Sequence, residues 1–150
     1  MQNRFVKKVK TKTGEFVILI ETGKVDLKRL PWDRPYSVPG IIHGRMVYGA
    51  MPPTESQRDT IRSVIKRFEV RFNGRLIPID EKYWKYIFMD AKIESYGPLG
   101  DFAGNFLCMY DRYSDIILIL LTGGDGGCGF GVAMHISPKG LQGFFEEEPV

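Results

Sequence analysis

Cysteine, histidine and long apolar runs are all scarce in this chain, and each shortage removes a class of explanation. Two cysteines, Cys108 and Cys128, among 150 residues are too few for the disulfide framework of a small secreted domain. Without an export signal both read as reduced thiols. The longest uncharged apolar stretch is about half of the ~20 residues that a membrane-spanning helix needs, and the opening MQNRFVKKVK is polar and basic with no apolar segment behind it. The expectation is a cytoplasmic protein with no membrane partner. His43 and His135 are the only histidines. Neither stands at ligand spacing from a cysteine, and on a regular strand Cys128 and His135, seven apart, point to opposite faces. No metal site is expected. No G-K-S/T occurs, which removes a P-loop. The run Gly124-Asp125-Gly126-Gly127-Cys128-Gly129 spells G-x-G-x-x-G, but a strand pattern follows it instead of the helix N-terminus that holds a pyrophosphate. No cofactor is expected.

What is present is ordinary for a globular protein: 43% hydrophobic, 26% charged and 13% aromatic residues, enough for one core in a single domain spanning 1–150. Charge is uneven along the chain. Residues 1–75 carry 16 Lys/Arg against 7 Asp/Glu, a net of +9, and residues 76–150 carry 5 against 11, a net of −6. If the halves form different faces, the molecule has a field able to steer a charged partner; if they interleave, the charges mix.

The chain is organised around DIILILLTGGDGGCGFGVAMHI, residues 115–136. Residues 116–121 have no polar side chain, as in a strand covered on both faces. Beyond the glycines, Phe130, Val132, Met134 and Ile136 alternate with Gly131, Ala133, His135 and Ser137, giving one bulky and one small face. The two runs read as a central hairpin, and the Gly123–Gly131 loop between them as a structural turn, with a ligand loop as the alternative. Asn73-Gly74 predicts a second hairpin over 68–79, pairing Phe72 with Arg75, Val70 with Ile77 and Phe68 with Ile79. A third spans 4–10 and 15–21 about Lys12-Thr13-Gly14. Further strands are expected at 91–96 and 102–110, around Gly97-Pro98-Leu99-Gly100.

One main helix is expected at about 54–66. Thr54 stands as N-cap with Gln57 as its capping-box partner, and Ile61, Val64, Ile65 and Phe68 recur at i, i+3, i+4 and i+7. A short second helix at about 81–88 would be capped by Asp80 and carry Tyr83, Trp84 and Ile87 inward. The fold class is therefore α+β, a largely antiparallel sheet with these two helices.

The segment 30–53, LPWDRPYSVPGIIHGRMVYGAMPP, has five prolines and three glycines and forbids a long helix; one short strand at 41–48 is expected in it. Trp32, Tyr36, His43, Arg45 and Tyr48 sit there, residue types enriched at binding hot spots, and they form the candidate partner-binding set. The plainer reading is that these aromatics pin the loop to the core. Lys7, Lys8, Lys10 and Lys12 make the first strand basic, and Arg58, Arg62 and Lys66 would stack on one face of the main helix. Together Lys7, Lys8, Lys10, Arg58, Arg62 and Lys66 are candidate contacts for an anionic partner. Protection of an edge strand and a solvated helix face are the plainer readings. Cys128 with His135 or His43, or Asp125 among the aspartates, are the residues from which a small hydrolase would draw. No spacing selects an acid/base pair, and no catalytic residues are expected.

The combination FNGRLIPI, then Trp84, then LLTGGDGGCGFGVAMHISPKG resembles a pattern in small bacterial proteins, some of which look like immunity proteins that neutralise a cognate toxin. It covers about a third of the chain, and no functional residues carry over from it. With no cofactor motif or spaced catalytic set, the expectation is a non-catalytic protein that binds another protein, most concretely an immunity-type inhibitor of a toxin. The alternatives are a nucleic-acid-binding module using the basic first half, a small hydrolase using Cys128 or Asp125, and a self-associating homo-oligomer. Nucleic acid is disfavoured because the second half is acidic and aromatics do not interleave with the basic residues.

Overall fold

The computed structural model describes residues 3–35, 40–89, 93, 105–123 and 130–147. Among the described residues ten strands are formed: β1 Asn3–Lys10, β2 Glu15–Asp26, β3 Ile41–Ile42, β4 Arg45–Met46, β5 Ile61–Phe72, β6 Arg75–Ile77, β7 Phe106–Asp111, β8 Ile116–Gly123, β9 Phe130–Ser137 and β10 Gly140–Glu147. They make two four-stranded antiparallel sheets, ordered β1-β2-β5-β6 and β10-β9-β8-β7, with β3 and β4 as a separate pair. The buried faces of both four-stranded sheets share one core. Phe16, Ile18 and Ile20 of β2 and Phe68 and Val70 of β5 meet Ile117, Ile119 and Leu121 of β8 and Val132, Met134 and Ile136 of β9. Phe5 on β1 stacks on Phe106 of β7 at 4.7 Å, and Tyr83 on Phe144 of β10 at 5.0 Å. The sheets thus lie face to face as a sandwich.

Each hairpin follows from local chemistry. Asn73 and Gly74 both have positive φ, 50° and 82°, as a type I′ turn demands, and the register pairs Val70 with Ile77 and Phe72 with Arg75 as the turn predicts. The β8–β9 hairpin is also as expected, with Ile119 opposite Met134 and Leu121 opposite Val132. The bulky face of β9 is buried, and its small face is half-buried at Ala133, His135 and Ser137 and buried at Gly131. The hairpin of β1 and β2 pairs Lys10 with Glu15 across the four-residue turn. The strand expected at 91–96, apart from buried Ile93, its turn 97–100, the start of 102–110 and the glycine loop 124–129 lie outside the described residues.

The helices are the correction. Among the described residues there is no α-helix, only two single 3-10 turns, Leu27–Arg29 and Glu81–Tyr83. The sequence 54–66 is an irregular segment followed by the first half of β5. Thr54 accepts from the backbone of Gln57 within a turn, but the Gln57 side-chain amide donates to the Asp59 carbonyl, so no capping box forms. The helix-like spacing has a different origin. A bulge in β5, where the pairing shifts between Arg67 and Ile65, inserts Lys66 and breaks the period of two. Val64 and Ile65, on opposite faces, are both buried because this end of the sheet is covered on both sides. An apolar pair followed by a skipped position therefore mimics a 3.6-residue period. At 81–88 the Asp80 cap is real, its carboxylate accepting from the Lys82 N–H, but the turn ends at Tyr83. The chain turns on through Tyr86, Lys85 donating to the Glu81 carbonyl, and then residues 87–89 lie alongside β5, Ile65 donating to the Ile87 carbonyl and Met89 to that of Ser63.

The second cover is the proline-rich segment. Leu27, Ile42, Val47, Ala50, Val64 and Phe88 form a smaller apolar cluster on the other side of this end of the sheet, with Trp32 packed against it. In place of one strand at 41–48, β3 and β4 form a two-residue-per-strand hairpin about His43 and Gly44, both at positive φ. The Asp33 carboxylate accepts from the backbone N–H groups of both.

A polar clasp joins the two sheets at one end. The Tyr110 hydroxyl donates to Asp115 at 2.6 Å, Thr13 donates to the other carboxylate oxygen at 2.9 Å, and Lys12 Nζ donates to the Arg112 carbonyl. The Tyr110 hydrogen bond, then that of Thr13 and the charge of Lys12, hold the Asp115 carboxyl below its ordinary value against the opposing effect of burial. A depressed folded pKa gives stability that is complete above the ordinary carboxylate range and lost as pH falls through the depressed value. Asp115→Asn, which tolerates the positive φ of 56° at this position, should be less stable than the parent at pH 7. Urea titrations should show the gap closing towards pH 3; a gap independent of pH would mean that the charge contributes nothing.

Candidate functional site

The outward faces of the two sheets differ in kind, and the difference locates the site. On the first sheet the outward positions of β1 are Arg4, Val6, Lys8 and Lys10, and those of β5 after the bulge are Arg67, Glu69 and Arg71. Arg67 bridges Glu21 at 3.1 Å and Glu69 at 2.9 Å, and its hydrogen bond is the main cause that holds the Glu69 carboxyl low. This is a solvated, ion-paired surface, worth little to stability pair by pair. The first sheet is drawn wholly from residues 3–77 and the second from 106–147, so the two sheets divide the sequence, and the halves mix where residues 86–89 lie along β5.

The second sheet turns a largely apolar surface outward, with charge only towards its edges, at Asp111 opposite Ile116 and at the register position of Glu147 opposite Gly131. Register fixes its members: Leu107 lies opposite Leu120 and Met109 opposite Leu118 across β7 and β8, then Leu120 opposite Ala133 and Leu118 opposite His135 across β8 and β9. The outer residues of β8 are only half-buried, against the expectation that 116–121 is covered on both faces. Met109 is 49% and Phe145 56% exposed. An antiparallel sheet with one wet face ordinarily alternates apolar with polar residues, and β8 does not.

A one-residue bulge completes the surface. Pairing of β10 with β9 shifts between Leu141 and Gly143, so that Phe144 meets Met134 on the core side and Phe145 meets Ala133 outside. Without the extra residue the two phenylalanines would exchange faces. The Phe145 ring lies across Gly143, where an added Cβ would come within 2.9 Å of it, and 5.0 Å from the His135 ring. Asp111 at the end of β7 places an exposed carboxylate at its margin, whereas Glu146, opposite Val132, alternates to the other side of β10 with Phe144. Nothing in this surface resembles catalytic machinery; it can exclude water from an apolar partner.

Comparison with family models, with curated proteins and with solved structures found no match for the chain. The site therefore rests on its own geometry.

The sequence-derived residues are dispersed. Tyr48 is a core residue, its ring 6.1 Å from that of Phe130, and its backbone pairs with residues 86–88. Trp32 is half-buried, with its indole N–H donating to the Leu27 carbonyl at 2.8 Å. Both pin the loop. His43 and Arg45 are exposed at the tip of the β3–β4 hairpin, and Tyr36 lies outside the described residues. Lys8 and Lys10 share the outward face of β1, whereas Lys7 alternates to the inner side with Phe5 and Val9 and acts on the thiol of Cys108. An inward lysine on an edge strand is a device against sheet-to-sheet aggregation. Arg62 is tied to Asp59 at 3.5 Å, Arg58 is exposed on the irregular segment, and Lys66 is the bulge residue; with the helix gone, these three form no ladder. Cys128 and Asp125 lie outside the described residues. Burial pushes the Cys108 thiol up to about 11, so it is a poor nucleophile at neutral pH. Among the described residues no three His, Cys, Asp or Glu side chains converge as metal ligands, and no helix is long and apolar enough to cross a membrane.

The residues that sequence reasoning missed are Leu118, Leu120 and Phe145. The signal for the first two was an unbroken apolar run in a strand. Phe145 carried none, because its face depends on the bulge.

Proposed function

We propose that this protein is a non-catalytic, cytoplasmic binding protein of the immunity type, which neutralises a cognate toxin by docking it on the outer face of the second sheet. The observation that carries the reading is the apolar patch of Leu118, Leu120, Ala133 and Phe145 beside His135, on a sandwich whose opposite face is ion-paired. Contiguous exposed apolar surface of this kind marks interaction sites. The small side chain of half-buried Ala133 lets a partner approach the strand backbone, and Phe145 is an aromatic anchor already held against His135. The carboxylate of Asp111 at the margin favours a partner that is apolar at the centre and basic at that edge. The hairpin residues His43 and Arg45 are the competing contact.

Co-purification with the product of the adjacent gene tests this. The parent should form a stoichiometric complex and suppress that product's toxicity. Leu120→Asp and Phe145→Asp should bind about 100-fold more weakly, since each buries an unpaired charge at the centre of an interface, while their unfolding midpoints stay close to the parent's. Undiminished binding by both variants would remove the face from the reading. Loss with His43→Ala and Arg45→Ala instead would move the contact to the hairpin. Dimerisation of the chain alone, abolished by the same two aspartates, would assign the face to a second copy and end the inhibitor reading.

A further inference from the structure

A cleft of about 420 Å³ opens between the β3–β4 hairpin, the second 3-10 turn and β10. It is separate from the face just described, because Phe144 and Glu146, which line it, alternate along β10 with the outward Phe145. Met46, Tyr83 and Phe144 give it apolar walls, the two rings 5.0 Å apart. Carboxylate caps fix two of the three elements. Asp33 accepts from the backbone of His43 and Gly44 and holds the hairpin, and Asp80 accepts from that of Lys82 and holds the turn. The walls therefore stand in place before a ligand arrives, which lowers the cost of binding one.

Two observations set the cleft apart from an ordinary surface hollow. Tyr48, in its lining, is only 9% exposed, and its ring belongs to the core. Among the described residues the Tyr48 hydroxyl has no hydrogen-bond partner, and it is not sealed off as Trp84 Nε1 is, so it remains open to the cleft. A polar group carried by so buried a side chain ordinarily has a partner, and each exception calls for an account. The second observation concerns charge. Arg45 and Glu146 line the same cleft, yet among the described residues neither forms an ion pair, with the other or with a third group. Lys82 is occupied differently, its Nζ lying 5.0 Å from the centre of the Tyr83 ring. One two-pronged donor and one acceptor are thus held apart above an apolar wall, which suits a single ligand that carries both signs.

We infer that this cleft binds a free α-amino acid whose aromatic side chain ends in a hydroxyl, as tyrosine does. The ring lies against Met46, Tyr83 and Phe144, and its hydroxyl meets that of Tyr48. Arg45 takes the carboxylate and Glu146 the ammonium. The volume falls within the range of small-molecule sites, ~300–1,000 Å³. Glu146 disfavours a dianion such as a phosphate ester, and Arg45 with Lys82 disfavours a simple cation.

Titration with free tyrosine, followed through the backbone amide resonances of Met46, Tyr83 and Phe144 in proton–nitrogen NMR, tests the assignment. Those resonances should shift saturably. Phenylalanine lacks the ring hydroxyl, tyramine the carboxylate and N-acetyltyrosine the ammonium; each should bind about tenfold more weakly, the scale of one lost hydrogen bond to a charged or buried group. Each variant should then erase one preference and leave the other two. Tyr48→Phe, which keeps the core ring, should bind tyrosine and phenylalanine equally. Arg45→Gln should equate tyrosine with tyramine, and Glu146→Gln should equate tyrosine with N-acetyltyrosine. Arg45 and Glu146 are exposed, so their variants decide alone if Tyr48→Phe does not fold. No saturable shift with tyrosine, or a folded variant that keeps the parent's preference, would overturn the assignment. Tyrosinamide bound as tightly as tyrosine would also overturn it, by assigning the cleft to the N-terminus of a peptide.

Discussion

Phe106→Ala should cost about 3–5 kcal/mol, the range for removing a fully buried phenylalanine and leaving most of its volume empty. Phe106 has no exposed surface, starts β7, and stacks on Phe5 of the facing sheet at 4.7 Å. Both contacts lie at the margin of the sandwich, where β1 and β7 are each paired on one side only, so no third layer can move in to refill the space. Urea unfolding at pH 7 measures the loss. A cost below about 1 kcal/mol, well under the usual range, would mean that the two sheets do not share a core at that edge.

Gly49→Ala should cost about 3 kcal/mol, combining the strain of a left-handed conformation with overpacking. Gly49 has φ of 82°, and a Cβ there would press on the backbone carbonyl of Phe88 and come within 2.9 Å of the Phe130 ring. Neither neighbour can retreat cheaply. Phe88 is fully buried, and its N–H donates to the Tyr48 carbonyl at 2.8 Å. Gly44→Ala is the internal control, because Gly44 has a similar φ of 75° and nothing within 4 Å of the added atom. It should cost only about 1 kcal/mol, the conformational part alone. Equal losses at the two positions would show that the approach of Gly49 to Phe88 is looser than drawn.

Sequence reasoning succeeded where the chemistry is local. Asn73-Gly74 fixed a turn and hence a register, and the alternation of Phe130, Val132, Met134 and Ile136 marked a buried face. It failed at both bulges. An inserted Lys66 turned the β5 pattern into a passable helix, supported by a Thr54–Gln57 pair that looked like a capping box; the β-branched run at Thr60, Ile61, Val64 and Ile65 was the contrary signal. The insertion before Gly143 decides which of two adjacent phenylalanines faces water, and adjacent identical residues carry no information about that choice. In the set drawn from 30–53, Trp32 and Tyr48 follow the plainer reading of aromatics that pin a loop, Trp32 through the nearby Leu27 carbonyl and Tyr48 through residues 86–88, a partner that no local pattern announces.

That one sheet is complete by Ile77 and the other begins at Phe106 has a consequence for synthesis. At roughly 5–20 residues per second on the ribosome, the 59 residues between Ile77 and Ile136 take roughly 3–12 s to appear. During that interval the nascent chain can close β1, β2, β5 and β6 into a sheet, but Phe16, Ile18, Ile20 and Phe68 have nothing to lie against. Hairpin formation takes microseconds, so the delay is set by translation and not by folding. Slowed elongation between the two sheets should therefore raise the aggregated fraction and the demand for a chaperone that shields a half-finished apolar surface.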